Sequence, residues 1–153
     1  FIGKDKNGAV RAAKILPWSY CCWNCGDGSK GSYNYKPAYI QIEICEDALN
    51  DRTYFEEAFG LAAELCKRLM KNYPTIKPEN IISHHEAHLR GYASNHADCD
   101  HWLRKFGRDM DWFRALVSGE KQVRLTAEVT VAESRAEDIA GKLRQLGCSV
   151  KSE

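Results

Sequence analysis

All five histidines of the chain fall within residues 83–102, which read SHHEAHLRGYASNHADCDHW. The other residues of the 153-residue sequence include none, so composition does not explain the clustering. Neutral imidazole is the commonest metal ligand in proteins, and it also carries protons near neutral pH. The stretch therefore predicts a metal site, an acid–base site, or both.

The spacing inside this stretch argues against a helical zinc protease. His84 and His88 are four residues apart and could share one face of a helix. The protease motif requires glutamate directly after the first histidine, but here His85 holds that place. A loop site that combines one or two histidines with Asp98 or Cys99 stays open, because catalytic zinc commonly has three protein ligands and a position for water.

Composition and charge exclude several classes of protein. The 22 basic and 21 acidic residues give a net charge of +1, which argues against the strongly basic surface of a nucleic-acid binder. Hydrophobic residues make up 44% of the chain, enough for a core, yet no run approaches the roughly 20 apolar residues of a membrane span. We therefore expect neither nucleic acid nor membrane as a partner. The chain starts at Phe1 rather than Met, and we expect natural sequence upstream of it.

The seven cysteines do not read as a disulfide framework, because their number is odd and their spacing irregular. Cys22 and Cys25 form a C-x2-C pair that could hold zinc or act in redox chemistry. No second pair follows at zinc-ribbon spacing, so we interpret these residues as buried or incidental thiols.

Hydrophobic periodicity and turn residues predict alternating strands, loops and helices in the first part of the chain. The predicted elements are a hairpin over residues 1–16 with its turn at Asn7-Gly8, a long loop over 17–38, a strand over 39–45, a helix over 53–73 capped by Asp51 or Thr53, a short strand over 79–83, a loop over 84–101 and a helix over 109–117.

The strand predicted at residues 39–45 presents two different faces. Ile40, Ile42 and Ile44 alternate with polar residues, and we expect this isoleucine row to face the helices of the core. Glu43 then lies in the middle of the strand on the opposite face. A carboxylate there is costly unless that face lines a cleft.

The last part of the chain predicts a small β-α-β piece. Its elements are a strand over residues 123–131, a helix opened by a capping box at Ser134-x-x-Glu137 and stopped by Gly147, and a short strand over 148–150. We therefore expect a domain at residues 1–118, a linker at 119–122 and a partial module at 123–153. The module resembles the opening of a sporulation-related repeat domain, which binds glycan strands; an unrelated cell-wall targeting module is the alternative.

Several stretches resemble the type 2 family of N-acetylmuramoyl-L-alanine amidases, which is related to the peptidoglycan recognition proteins. Residues 83–102 resemble the zinc motif of this family and residues 31–46 its central strand. Residues 1–5 with 16–18 resemble its second and third strands. The resemblance covers about residues 1–118. It implies an α/β fold in which helices flank a mixed central sheet and a zinc cleft lies on one sheet face.

The resemblance also implies roles for individual residues. His84 matches the second zinc ligand of the family and Asp98 the third. Glu43 matches the acidic residue that handles the catalytic water, and His96 matches the residue that stabilises the oxyanion. The first ligand of the family is a histidine on a strand that precedes the position of Phe1, so this chain offers two of the three ligands.

The resemblance and the aromatic residues suggest a substrate cleft as well. Asn24 stands where the family usually has a histidine that lines this cleft. Trp23 and Tyr33 could stack on sugars, although aromatic residues in loops are as often packing. The substrate-binding candidates are Trp23, Asn24, Tyr33 and Asn34.

The implied activity is zinc-dependent hydrolysis of the amide between N-acetylmuramic acid and L-alanine in peptidoglycan, as in a prophage endolysin or an autolysin. A lysin would stay in the cytoplasm until its release to the cell wall, whereas an autolysin would be secreted; the thiols favour the lysin. The alternative is a non-catalytic peptidoglycan-binding protein or an inactive amidase fragment. A metal nuclease is a weaker reading, since phosphate binding usually needs a basic surface.

Overall fold

The computed structural model describes residues 1–20, 22–26, 28, 39–119, 129–145 and 150. The chain divides into two compact units, residues 1–122 and residues 123–153. The elements are strands β1 (Ile2–Lys4) and β2 (Val10–Ala12), helix α1 (Arg52–Asn72), a 3₁₀ turn (Pro78–Asn80), and helices α2 (His84–Leu89), α3 (Asp100–Lys105), α4 (Met110–Ser118) and α5 (Glu133–Gln145). Within the described ranges, no helix combines the length and the apolar character that crossing a membrane requires.

The predicted hairpin is present but short. β1 and β2 pair antiparallel, with Ile2 opposite Ala12, and Gly8 takes a positive φ of 82° in the turn. The return strand was expected to continue to residue 16. It ends at Ala12, and one further pair of hydrogen bonds joins Ala13 to Phe1.

A third extended segment lies beside β1 over residues 39–45. The amide of Ile2 donates to the Glu43 carbonyl and the amide of Cys45 donates to the Ile2 carbonyl, both at 2.8 Å. These bonds form a single parallel bridge at Ile44, so the predicted strand is reduced to one paired position. The expected mixed central sheet is therefore represented, among the described residues, by a two-stranded hairpin and this bridge.

Helix α1 forms the centre of the core in the first unit. The side chain of Asp51 caps it by accepting the Tyr54 amide at 3.0 Å, as one of the two predicted caps. Trp102 of α3 is fully buried against the rings of Phe55 and Phe59 at centroid distances of 5.7 and 5.2 Å. Because Trp102 lies only four residues after Asp98, this packing anchors the end of the histidine-rich stretch to α1.

The histidine-rich stretch itself differs from the expectation. Residues 84–101 were predicted as a loop, but they contain α2 and the start of α3. The predicted strand over 79–83 is also wrong in the described structure, because Pro78 starts a 3₁₀ turn and its fixed φ favours the first position of a helical turn.

The second unit contains the predicted helix as α5. It begins at Glu133, so Ser134 lies inside the first turn rather than at the cap. Of the strand predicted over 123–131, residues 123–128 lie outside the described residues and 129–131 form no strand. Residues 148–149 of the last predicted strand also lie outside the described residues.

Candidate metal centre and cleft

A capping box sets the start of α2 and places His84 in its first turn. Ser83 Oγ accepts the Glu86 amide at 3.0 Å, and Glu86 Oε2 accepts the Ser83 amide at 3.2 Å. The backbone amides of Ser83 and Glu86, which have no partner within the helix, are thereby hydrogen-bonded. The sequence reasoning missed this helix although its S-x-x-E signal is the same one that predicted α5.

Two histidines and one carboxylate converge beside this helix start. His84 Nδ1 lies 3.2 Å from Asp98 Oδ1, and His96 Nδ1 contacts the same oxygen. The two imidazole rings are stacked with centroids 5.3 Å apart. The donor atoms of His84, His96 and Asp98 all lie within 4.8 Å of one another. The histidine that resemblance assigned to the oxyanion thus lies among the possible metal ligands.

This donor set fits zinc. Imidazole nitrogen and carboxylate oxygen both bind zinc at about 2 Å, so neighbouring ligand atoms of a tetrahedral site lie about 3–3.5 Å apart. A small rearrangement would therefore bring these donors within reach of one ion. The side chain of His84 is only 9% exposed, whereas that of His96 is 64% exposed. The His84 side of the cluster is consequently enclosed by the protein, and the His96 side is open to solvent.

Glu43 lines the same cavity as the three donors. The cavity has a volume of about 860 Å³ and runs along the isoleucine row of residues 39–45. Burial raises the pKa of the Glu43 carboxyl, and the negative charge of Asp98 raises it further. A hydrogen bond from the Asn24 side chain and the charge of His84 act in the opposite direction.

The side chain of Asn24 therefore lies close enough to Glu43 to favour the charged form of the candidate catalytic carboxylate. Its backbone amide also donates to Gln41 Oε1 at 3.1 Å. Gln41 and Glu43 lie two residues apart in the predicted alternation, and both line the cavity, as do Ile40 and Ile42 of the other predicted face. Sequence reasoning did not single out Gln41, although that alternation was the available signal.

The other substrate-binding candidates are less constrained. Trp23 is 65% exposed and is absent from the described lining of this cavity. Tyr33 and Asn34 lie outside the described residues.

The remaining nearby groups have their own partners. His88 Nδ1 lies 3.2 Å from the Ala93 carbonyl. His101 Nε2 lies 2.8 Å from Glu46 Oε1. The Cys99 thiol lies 3.9 Å from Met110 Sδ, and Cys99 is not among the donors that converge with His84 and Asp98. Burial, aided by nearby acidic charges, raises the pKa of this thiol to about 12.

Ser94 is a second residue that sequence reasoning missed. Its hydroxyl lies 3.2 Å from His84 Nε2 and donates to the Cys25 carbonyl at 3.1 Å. It thus joins the candidate ligand to the segment that carries Asn24. No local pattern marks such a contact, because Ser94 and Cys25 are far apart in the sequence.

Comparison with known proteins identifies the family of the chain. Residues 1–101 match the family described as N-acetylmuramoyl-L-alanine amidase. The N-acetylmuramoyl-L-alanine amidase CwlH of Bacillus subtilis (strain 168) is 34% identical over 94 residues, which covers 52% of this chain and 36% of the relative. The chain thus spans about a third of the length of this curated relative. No solved structure matches the chain significantly. Because the family match extends over more than half of its residues, the chain belongs to the type 2 N-acetylmuramoyl-L-alanine amidase family.

Proposed function

We propose that this site hydrolyses the amide bond between N-acetylmuramic acid and L-alanine in peptidoglycan, with zinc held by His84 and Asp98. The observation that carries the proposal is the cavity shared by Glu43, His84 and Asp98. A base and two metal ligands on one concave surface are the parts that a hydrolase of amides needs.

Bound zinc would polarise the scissile carbonyl and lower the pKa of a water molecule to about 7. Glu43 accepts the proton of the attacking water at a carboxylate oxygen and returns it to the nitrogen of the leaving amine. The raised pKa of Glu43 suits this second step, because a carboxyl that holds its proton more firmly is a better match to a reaction near neutral pH.

His96 occupies the open side of the cluster. Its exposure supports a role in meeting the substrate, and an imidazole N–H there would donate to the negative charge that develops on the carbonyl oxygen. The side chain of Asn24 favours the ionised form of Glu43, which is the form that accepts a proton. We therefore assign Asn24 to the support of the base, next to the substrate-binding role expected from the sequence.

The resemblance places a further zinc ligand on a strand before the position of Phe1. The apolar part of the cavity lining supports this addition, because Ile40, Ile42, Ile81 and Ile82 all belong to it. An apolar strand beside residues 39–42 would cover these side chains. We propose that a histidine on such a strand completes the ligand set.

The test compares the chain with a version extended by a histidine-bearing strand, both loaded with zinc. Each is incubated with purified cell walls, and released peptides with a new amino-terminal L-alanine are measured. We expect release by the extended protein, its loss after chelation, and its loss in the Glu43→Gln variant. Intact amides after incubation with the zinc-loaded extended protein would overturn the enzymatic proposal. Zinc-independent binding to the walls without cleavage would favour the non-catalytic alternative.

The proposed biological setting is a lysin of prophage origin that reaches the cell wall when the cell is lysed. Residues 123–153 would then assist attachment to the wall. Sedimentation with insoluble peptidoglycan, comparing the full chain with a chain that ends at residue 122, measures that contribution. Equal binding of both proteins would contradict the attachment role.

A further inference from the structure

His101 joins the segment that carries the candidate base to the stretch that carries the candidate ligands. Its Nε2 lies 2.8 Å from Glu46 Oε1, and its Nδ1 lies 3.1 Å from the carbonyl oxygen of Ala97. Glu46 follows Glu43 by three residues and lines the same cavity. Ala97 directly precedes Asp98. One imidazole ring thus contacts both sides of the candidate site.

These two contacts together require the charged form of the ring. A carbonyl oxygen and a carboxylate oxygen only accept hydrogen bonds, so Nδ1 and Nε2 must each donate. A neutral imidazole has a single N–H, whereas the imidazolium has two. Burial lowers the pKa of His101, but its two hydrogen-bond partners and the charge of Asp98 raise it by more. The bond to Glu46 is therefore charge-assisted.

The segment that carries the base is also held from the opposite side. The amide of Cys45 donates to the Ile2 carbonyl at 2.8 Å, and the hydroxyl of Tyr54 donates to the Cys45 carbonyl at 2.5 Å. These bonds come from β1 and α1, whereas the bond from His101 comes from α3. Because Trp102 fixes α3 in the core, a change in the contact of His101 changes the distance between the base and the ligand stretch.

We propose that His101, as an imidazolium, is a positioning residue that ties Glu46 to the start of α3 and so holds the Glu43 carboxylate near Asp98. The role of Glu43 as the base rests on the proposed function. The link between His101 and Glu46 concerns the metal-free protein and can be tested without activity.

Substitutions of His101 can separate its two contacts. In His101→Asn, the side-chain amide reaches the place of Nδ1, so it can donate to Ala97 but not to Glu46. In His101→Gln, the amide reaches the place of Nε2 and can donate to Glu46. Both variants are neutral, so they lose the same charge. Lys67→Gln is the matched control, because it removes a cation that lies 2.7 Å from Glu64 Oε1 on α1, outside the described lining of the cavity.

The measurement is the titration of single groups by NMR in the metal-free full chain. We expect nitrogen spectra to show a midpoint for wild-type His101 above the ordinary histidine pKa of ~6.5, and a lower midpoint in Glu46→Gln. Carbon spectra should show a lower pKa for Glu43 in His101→Asn. Burial and the charge of Asp98 raise this pKa, and both lose effect when the segment moves away.

The direction of the change at Glu43 distinguishes an effect of position from an effect of charge. Loss of the imidazolium charge alone would raise the pKa of this carboxyl, whereas movement of the segment lowers it. Since His101→Gln retains the bond to Glu46, it should give a higher pKa for Glu43 than His101→Asn. Lys67→Gln should leave both titrations unchanged.

Two results would overturn the positioning role. One is a wild-type His101 whose midpoint lies at or below the ordinary value. The other is a pKa of Glu43 that is unchanged or raised in His101→Asn, which would mean that the ion pair does not hold this carboxylate in place. Neither titration needs zinc or substrate. An absence of peptide release by the extended protein would therefore contradict the proposed function, while the titrations would still decide the role of His101.

Discussion

The guanidinium of Arg114 and the carboxylate of Glu86 form a bidentate ion pair, with Nη1–Oε2 and Nη2–Oε1 distances of 2.9 and 3.0 Å. Arg114 Nη1 also donates to the carbonyl of Ile81 at 3.0 Å. Since Glu86 completes the capping box with Ser83, this one arginine on α4 holds the backbone on both sides of the first turn of α2. Arg114 thereby helps to position His84, because it holds the helix start that carries this histidine.

Replacement of Arg114 by leucine should therefore destabilise the first unit. Both side chains of the pair are largely covered, so Arg114→Leu leaves a partly buried carboxylate and a carbonyl without this donor. We expect the free energy of unfolding to fall by about 1–3 kcal/mol, measured by urea denaturation followed by tryptophan fluorescence.

The control for that substitution is Arg52→Leu. Arg52 pairs with Glu56 along the exposed side of α1, and such surface pairs contribute about 0.5 kcal/mol or less. Equal destabilisation by the two substitutions would show that the pair of Arg114 and Glu86 has no special role.

The sequence predicted best those helices whose apolar residues repeat regularly over several turns. The helices at residues 53–73 and 109–117 correspond to α1 and α4, because an apolar stripe over two or more turns identifies a helix without knowledge of its partner. α2 and α3 have six residues each, too few to establish that period. The strand predicted at 39–45 shows a different limitation. Alternation predicts which of its residues share a face, but it cannot reveal how many of them pair with a neighbouring strand.

The site was predicted mainly through family resemblance. Glu43, His84, His96 and Asp98 were named from matching positions, and the structure brings them around one cavity. Their contacts could not be predicted in the same way. The hydrogen bond from the Asn24 amide to Gln41 Oε1 joins segments whose approach is decided by the packing of the whole unit.

Zinc binding should depend on His84 and Asp98 and not on the neighbouring His85. Loss of a ligand removes a bond to the metal, so His84→Ala and Asp98→Ala should each lower zinc affinity by more than the about 10- to 100-fold typical of losing a partner of a ligand. Equilibrium dialysis with elemental analysis measures the bound zinc. His85→Ala is the matched control, because His85 makes its contact to Asp98 through the backbone amide. Equal loss of zinc in all three variants would contradict this ligand set.

His96→Ala should separate binding from catalysis. If His96 donates to the developing oxyanion, its removal lowers the rate of peptide release about 100- to 1,000-fold while most of the zinc affinity remains. The measurement combines release of stem peptides by the extended protein with the zinc titration. A loss of zinc as large as that of His84→Ala would make His96 a ligand, which its place in the cluster of donors also allows.

Asn24→Ala should raise the pKa of Glu43. The side chain of Asn24 stabilises the ionised carboxylate, so its loss raises a pKa that burial and Asp98 already raise. Glu43 must be ionised to accept a proton, and the acidic limb of the pH–rate profile should therefore shift to higher pH. Carbon NMR titration of Glu43 in the metal-free protein checks the same shift without activity. The exposed Asn72→Ala serves as control, and a downward or absent shift in Asn24→Ala would contradict the stabilisation of the Glu43 carboxylate by Asn24.

The cysteines should differ sharply in reactivity within the folded protein. Burial raises the pKa of the Cys66 thiol to about 11, and that of Cys99 is about 12. The thiolate is the reactive form, so at a pH of about 8 both should resist iodoacetamide, whereas the exposed Cys45 should be modified. Peptide mass spectrometry after a short reaction distinguishes the sites, and the same reaction in concentrated urea should label all three. Labelling of Cys66 or Cys99 at the rate of Cys45 without denaturant would mean that α1 and the stretch around Asp98 open readily, which the burial of Trp102 between them argues against.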